Sequence, residues 1–211
     1  MVSEASVSLR VPIGRGLFIS GGILPSHVGF EAFATYENWN YTRSYLRDFA
    51  PAFDTGLRLA YGFTEHLSAQ LLVFNGWEHA GEENAGKTLG AQLQWSSDLV
   101  QATYNLLAGP ELRSETAHWR VLNDLFLVMK PLSRLHVALV ADLGLQQYPT
   151  KATALWYGAA LYLRALPHPK LTLAARGGVF GDPDSAISGA SQIIGEGTGT
   201  VDFRPAENYV L

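Results

Sequence analysis

Apolar side chains alternate with small or polar ones in several runs of about ten residues, the length of a membrane-crossing strand. In Ala52–Phe63, for example, Leu57 falls on one face of an extended strand and Arg58 on the other. Three further segments show the same alternation: Lys87–Ser97, Leu135–Gln147 and Ile193–Arg204. A two-residue period predicts β-strands, with one face suited to lipid and the other to a polar lumen.

Segment length and loop pattern separate a membrane barrel from a soluble antiparallel sheet, which alternates in the same way. A tilted strand needs about 9–11 residues to cross a bilayer, whereas strands in soluble domains average about 5–6. Most of the alternating segments in this chain have the length of about 9–11 residues that a membrane-crossing strand needs. Short turns such as Thr64–His66 also alternate with longer loops such as Gly76–Gly86. We therefore predict an all-β fold, an antiparallel up-and-down transmembrane β-barrel with about eleven complete strands and the start of a twelfth.

Aromatic residues collect near the ends of the alternating segments. Amphipathic rings are most stable at the headgroup level, so this distribution predicts two interfacial belts. One belt lies by the short turns and contains Tyr61, Phe63 and Trp95, and the other lies toward the long loops and contains Trp39, Trp77, Trp119, Tyr148, Trp156 and Tyr157.

Composition agrees with a membrane wall and narrows the function classes. Only 16% of the 211 residues are charged, against about 25% in an average soluble domain. No apolar run reaches the length of about 18 residues that a membrane-spanning helix needs. A net charge of −4 without a Lys/Arg cluster argues against nucleic-acid binding. The chain has no cysteine, which excludes disulfides and thiolate catalysis.

We interpret residues 1–211 as a single β-barrel domain that is incomplete at both ends. Met1–Glu4 leads directly into the first strand without a signal peptide, and Tyr209–Leu211 resembles the beginning of a strand. An open barrel would leave unpaired backbone groups in lipid, where each costs several kcal/mol. We therefore expect the chain to be a fragment of a larger closed barrel.

A group of motifs between about residues 17 and 97 resembles the OmpL-like β-barrel porins, the porin-2 family of Gram-negative bacteria. The motif residues are Asn38-Trp39-Asn40-Tyr41-Thr42-Arg43-Ser44, Pro51, Gly56-Leu57-Arg58, Tyr61, Asn75-Gly76-Trp77, Asn84 and Lys87. The resemblance implies a channel in the bacterial outer membrane for passive diffusion of small hydrophilic solutes and ions. It implies a lipid bilayer and small solutes as partners, and no cofactor.

Polar residues on the inner faces of the predicted strands are the candidate pore lining. They are Arg10, Arg58, Gln92, Gln94, Arg120, Asp124, Asp142, Arg176, Glu196, Asp202 and Arg204. The alternative for each charged residue is an ion pair that stiffens the wall. A barrel of about twelve strands is narrow, and room for water is expected from Gly56, Gly62, Gly90, Gly144, Gly158 and Gly178. Positive and negative charges nearly balance, which predicts weak ion selectivity.

The segment from Ile23 to Pro51 is too long for a hairpin turn, and loops of this size are usually functional or disordered. Two placements are open: a constriction folded into the lumen, or a cap outside the barrel. The family motif lies within this segment, which favours packing inside.

Enzymatic function has little support in the sequence. The six histidines are isolated, and no His-x-x-x-His spacing indicates a metal site. Ser114, Glu115 and His118 share one polar loop, but no Gly-x-Ser-x-Gly motif accompanies them. We predict no catalytic centre, no metal and no cofactor. The alternatives are an outer-membrane barrel with a structural, adhesive or hydrolase role, or a soluble antiparallel β protein.

Overall fold

The computed structural model describes residues 4–81 and 83–205 and contains one antiparallel sheet of eleven strands in the order β1 to β11. This confirms the predicted all-β meander. The strands are β1 (Ala5–Val11), β2 (Leu17–Pro25), β3 (Phe53–Gly62), β4 (Leu67–Phe74), β5 (Thr88–Ser96), β6 (Val100–Pro110), β7 (Trp119–Leu132), β8 (Leu135–Gln146), β9 (Ala154–His168), β10 (Leu171–Asp182) and β11 (Gln192–Phe203).

The sheet is not closed. Among the described residues, β1 pairs only with β2 and β11 only with β10. The predicted twelfth strand, from Tyr209, lies outside the described residues. In the described part of the chain, no helix has the length and apolar character needed to cross a membrane.

The two faces of the sheet differ as the alternation predicts. Leucines of the outer face are exposed, for example Leu57 at 60% and Leu93 at 51%. Their neighbours in sequence, such as Arg58 and Gln92, point to the opposite, inner face because successive side chains in a strand alternate. The outer face is therefore predominantly apolar and exposed.

The connections alternate in length along the meander. At one end of the sheet the strands are joined by short turns at residues 12–16, 63–66, 97–99, 133–134 and 169–170. At the other end they are joined by longer connections, residues 26–52, 75–87, 111–118, 147–153 and 183–191. β7 and β9 are the longest strands, with 14 and 15 residues, and each is followed by a turn of only two residues.

Residues 26–52, which we call the inserted segment, lie against the inner face of the sheet. The segment contains a 3₁₀ turn at Thr35–Glu37 and one helix, α1 (Tyr45–Asp48). His27 contacts Asp54 on β3, and Glu31 contacts Arg176 on β10. Gly29, four residues after the end of β2, donates its N–H to Asp124 on β7 at 3.1 Å. Four residues span at most about 14 Å, and even with the short Asp124 side chain this falls below the span of about 24 Å that five strand spacings have in a flat sheet. The sheet is therefore curled around the inserted segment.

The belt predicted near the long loops is partly wrong. Trp156 is only 1% exposed, and its ring meets that of Trp77 edge to face inside the curled sheet. Trp39 packs against Phe30 of the inserted segment, with ring centroids 5.2 Å apart. Trp156 follows the inward phase of β9, Trp39 lies in the inserted segment, and Trp77 lies in the connection after β4. Each ring packs against another aromatic ring inside the sheet.

Other members of the belts do lie on the outer face. Phe63 and Trp95, beside the short turns, are exposed, and so is Trp119 at the start of β7.

Candidate functional site

The candidate site is the space inside the curled sheet, and glycines on the inner face make room for what fills it. A Cβ atom added at Gly90 would lie 2.8 Å from the His27 ring, and one added at Gly158 would lie 2.9 Å from Leu46. At Gly144 the added atom would meet the Trp156 ring at 1.9 Å. The room expected for water at these positions is thus taken by side chains, two of them from the inserted segment.

Arg176 is the main attachment of the inserted segment to the wall. Its guanidinium is paired with Glu31 Oε1 at 2.9 Å and with Glu196 Oε2, on β11, at 3.0 Å. It also donates to the backbone oxygens of Thr42 at 2.6 Å and Arg43 at 2.9 Å. The side chain is 2% exposed. The charge of this buried cation is compensated by two carboxylates and two carbonyls, while its Nε has no hydrogen-bond partner among the described residues, and the guanidinium fixes the segment at several points.

Glu31 links this attachment to the start of α1. Its second carboxylate oxygen accepts the Ser44 N–H at 2.7 Å and the Ser44 hydroxyl at 2.6 Å. The Ser44 Oγ accepts the Arg47 N–H at 3.1 Å, as an N-cap residue does. The two halves of the inserted segment are therefore joined to each other and to β10 through a single carboxylate.

A second network holds the first part of the segment against β5, β6 and β7. Gln92 donates from Nε2 to the His27 backbone oxygen at 3.1 Å and to Asn105 Oδ1 at 2.8 Å. Asn105 Nδ2 donates to Asp124 Oδ1, which also accepts the Gly29 N–H at 3.1 Å. Asp142 lies directly opposite Asp124 in the register of β7 and β8.

An apolar cluster fills the lumen toward the long connections. Val28 and Ala50 of the inserted segment pack with inward-facing residues of five strands and with Trp77. The inward residues are Leu72, Phe74, Leu107, Leu122, Trp156 and Phe180. The inner face is therefore apolar at this end, where a polar lining was expected, and burial of this surface stabilises the seated segment.

Several predicted lining residues do not touch the inserted segment through a hydrogen bond. Arg10 and Arg204 are exposed at the ends of β1 and β11, and Gln94 is half-buried on β5. Arg58 donates to the Pro25 backbone oxygen at 2.5 Å. Arg120 donates to Gln146 Oε1 at 2.7 Å, and its guanidinium also lies over the Trp77 ring.

The family motif at residues 38–44 builds the inserted segment. The Asn38 side chain closes a turn by pairing with both backbone groups of Ala32, at 2.8 and 2.9 Å. Asn40 is 1% exposed and donates to the Thr200 hydroxyl on β11 at 2.9 Å. Tyr41 is exposed, and a hydrogen bond to Asp202 raises the pKa of its phenol.

Arg43 and the second motif, at residues 75–77, also have structural contacts. Arg43 is paired with Asp48 at 2.8 Å and lies over the Phe33 ring. Asn75 accepts a hydrogen bond from Lys87 at 3.0 Å, while Gly76 has a φ of +126°, a conformation that favours glycine. The backbone N–H of Trp77 donates to Glu111 Oε2 at 2.8 Å.

Two residues of the site were missed by sequence reasoning. Glu31 lies in a segment without periodicity, and its partner Arg176 is 145 positions away. His27 was treated as an isolated loop histidine, yet its ring reaches Asp54 at 3.4 Å and the Leu106 backbone oxygen at 3.2 Å. No local pattern marks contacts at such separations; Asp54, on the polar face of a recognised strand, was the one available signal.

The loop with Ser114, Glu115 and His118 does not form a hydrolase triad in the described residues. Glu115 accepts the N–H groups of Ala117 and His118 and pairs with His118 Nδ1 at 2.9 Å. These contacts, the Ala117 N–H above all, hold the pKa of Glu115 below its usual value. No hydrogen bond joins the Ser114 hydroxyl to His118 within the described ranges. The same ranges contain no group of three or more potential metal ligands.

An up-and-down antiparallel sheet with an apolar outer face, curled around a polar and partly filled interior, defines a β-barrel of the porin class. Residues 1–211 match the model of the family described as "Putative beta-barrel porin-2, OmpL-like", and the chain belongs to that family. No curated protein and no solved structure matches the chain.

Proposed function

We propose that the chain forms the wall of an outer-membrane channel for passive diffusion of small hydrophilic solutes and ions, and that the inserted segment narrows the channel. The observation that carries the proposal is the contrast between the two faces of one sheet. The outer face carries exposed leucine, valine and aromatic side chains, as contact with lipid requires. The inner face carries charged and amide side chains, which would be costly in contact with lipid.

The conducting path runs beside the inserted segment. The segment is hydrogen-bonded to β3, β5, β6, β7, β10 and β11 and packs against the inner faces of β8 and β9. The inner residues of β1, such as Ser6, Ser8 and Arg10, remain exposed. At the opposite edge of the sheet, Arg204 follows the end of β11 and is exposed. Water and small solutes therefore pass between the inserted segment and the polar inner face of β1.

The exposed charges on this path set its selectivity. Arg10 and Arg204 are opposed by Glu4 and Glu37, which are also exposed. Arg176, Glu196 and Asp124 contribute less to the field in the path, because their charges are paired or covered by the segment. Rings of one charge sign make strongly selective pores, so a mixed lining gives weak ion selectivity. The proposal includes no catalytic step.

Planar-bilayer recording of the full-length protein tests the proposal. Discrete conductance steps and a reversal potential close to zero under a salt gradient are expected. The double variant Arg10→Glu/Arg204→Glu should shift the reversal potential toward cations, while Arg113→Glu, in the exposed connection after β6, should not. A correctly inserted barrel that produces no steps would exclude the channel. Conductance steps whose reversal potential is the same in the wild type and in the double variant would exclude the proposed path.

A hydrolytic alternative is tested in the same preparation. Ser114→Ala and His118→Ala should leave conductance unchanged, and no ester substrate should be hydrolysed above the rate of the buffer. Hydrolysis by the wild type that is absent from both variants would contradict the channel proposal and support the hydrolase alternative.

A further inference from the structure

The facing carboxyl groups of Asp124 and Asp142 form an unusual pair inside the curled sheet. The two residues are register partners on β7 and β8, and their side chains lie within hydrogen-bonding reach of each other. Asp124 is fully buried. Asp124 Oδ2 and Asp142 Oδ1 are buried too, and no N–H or O–H group of the described residues donates to either.

Two ionised carboxylates in contact repel each other strongly in a buried site, and such pairs commonly hold one proton between them. A proton carried by one carboxyl of this pair would supply the donor that the two oxygens lack. A metal ion would need more ligands than the two carboxyls supply, and the described residues contain no cluster of three.

The inserted segment lies against the pair on the inner face of the sheet. Gly29 donates its N–H to Asp124. A cavity of about 10 Å³, room for about one water molecule, adjoins Asp142 and is lined by the segment and by β8 and β9.

The titratable and charged groups that face the pair or this cavity are His27, Glu31 and Arg47 from the segment and Tyr162 from β9. β6 contributes the neutral Asn105. Two of these charges have partners of their own, since Glu31 is paired with Arg176 and the His27 ring contacts Asp54.

We infer that Asp124 and Asp142 form a proton-binding site that couples the seating of the inserted segment to pH. With one proton shared, the pair carries a single negative charge, which Gly29 and Asn105 stabilise by donating hydrogen bonds. When the proton leaves at higher pH, two adjacent negative charges remain under the segment. Hydration of the pair then becomes favourable, and it requires the segment to move away. Seating is therefore complete at low pH and weakens as the pH rises.

Thiol labelling tests this inference without relying on conduction. The chain has no cysteine, so Ala50→Cys introduces a single thiol in a buried position of the inserted segment. Its labelling rate by a maleimide in the full-length, lipid-reconstituted protein is divided by the rate for Thr150→Cys in an exposed connection, which removes the pH dependence of the thiol itself. The ratio should rise about tenfold between about pH 6 and about pH 9, since one linked proton permits at most a tenfold change per pH unit.

Asp142→Asn keeps the shape of the side chain and replaces the shared proton by a fixed donor. In this background, and in Asp124→Asn, the labelling ratio should stay low and independent of pH. Asp98→Asn, in an exposed turn, should keep the wild-type rise. A flat ratio in the wild type would overturn the inference by itself, as would an unchanged rise in both pair variants. A pH-dependent ratio in a barrel that conducts no ions would support the inference and overturn the proposed channel.

Discussion

At the scale of single residues, Arg176 is the side chain that the seated segment depends on most. It joins Glu31 of the segment to Glu196 of the wall and also binds the backbone at Thr42 and Arg43. Removing one partner of a buried ion pair costs about 3–5 kcal/mol, because the remaining charge is left uncompensated. Here two carboxylates would lose their cation.

Arg176→Met keeps most of the length of the side chain and removes its charge and donors. We expect the inserted segment to leave its seat, because a loss of about 3 kcal/mol corresponds to about a hundredfold change in the equilibrium. The normalised labelling rate of Ala50→Cys should rise by about that factor.

Arg204→Met, on an exposed arginine that follows β11, is the matched control and should leave labelling unchanged. Equal labelling in wild type and Arg176→Met would show that the apolar cluster alone seats the segment.

At the scale of elements, the strands follow from the sequence and the inserted segment does not. Side chains in a strand alternate with a period of two residues, so the local sequence of Leu135–Gln147 was enough to predict the two faces of β8. It also predicted the ends of β8 to within one residue. The inserted segment has no period, and its contacts join residues such as Asn40 and Thr200, which are 160 positions apart. Its placement inside was favoured only because the family motif lies within it.

The same difference explains the aromatic residues. Position near a strand end predicted Trp156 at the membrane interface, but the phase of β9 turns the ring inward, where Gly144 leaves room for it. For an aromatic residue near a strand end, the face of the sheet on which it lies must therefore be determined before a location at the membrane interface is predicted.

Gly90 tests how the inserted segment fits the wall. A side chain there would meet His27 and also Leu72 and Phe74 at 3.1 Å or less. Gly90→Val should displace the segment and raise the labelling of Ala50→Cys at least about fivefold, since overpacking costs about 1–3 kcal/mol.

Gly197→Val is the matched substitution on β11, where an added Cβ meets no atom within 4 Å. It should leave labelling at the wild-type level. If Ala50→Cys is labelled equally fast in Gly90→Val and Gly197→Val, Gly90 does not contribute to the packing of the inserted segment against the wall.

At the scale of the whole molecule, the account depends on which face meets lipid. Leu93 and Gln94 are neighbours on β5, and only Leu93 belongs to the exposed apolar set. An arginine on the lipid face at the bilayer midplane costs about 2–4 kcal/mol, whereas the inner face already carries arginines.

Leu93→Arg should therefore lower the free energy of unfolding from lipid vesicles by about 2–4 kcal/mol, and Gln94→Arg by less than about 1 kcal/mol. A urea titration followed by tryptophan fluorescence in vesicles measures both. Equal losses, or a larger loss for Gln94→Arg, would mean that the sheet faces water on its leucine side, as in the soluble alternative.

We propose a porin-like barrel whose lumen is narrowed by residues 26–52. The most direct measurement is the single-channel conductance of the full-length protein before and after Ser26–Ala52 is replaced by a four-residue Gly/Ser turn, a length within the usual range of about 2–5 residues for hairpin loops. The account predicts small, weakly selective steps from the wild type and steps several-fold larger from the variant. Conductance that is equal in the two proteins, or absent from both after verified insertion, would contradict it.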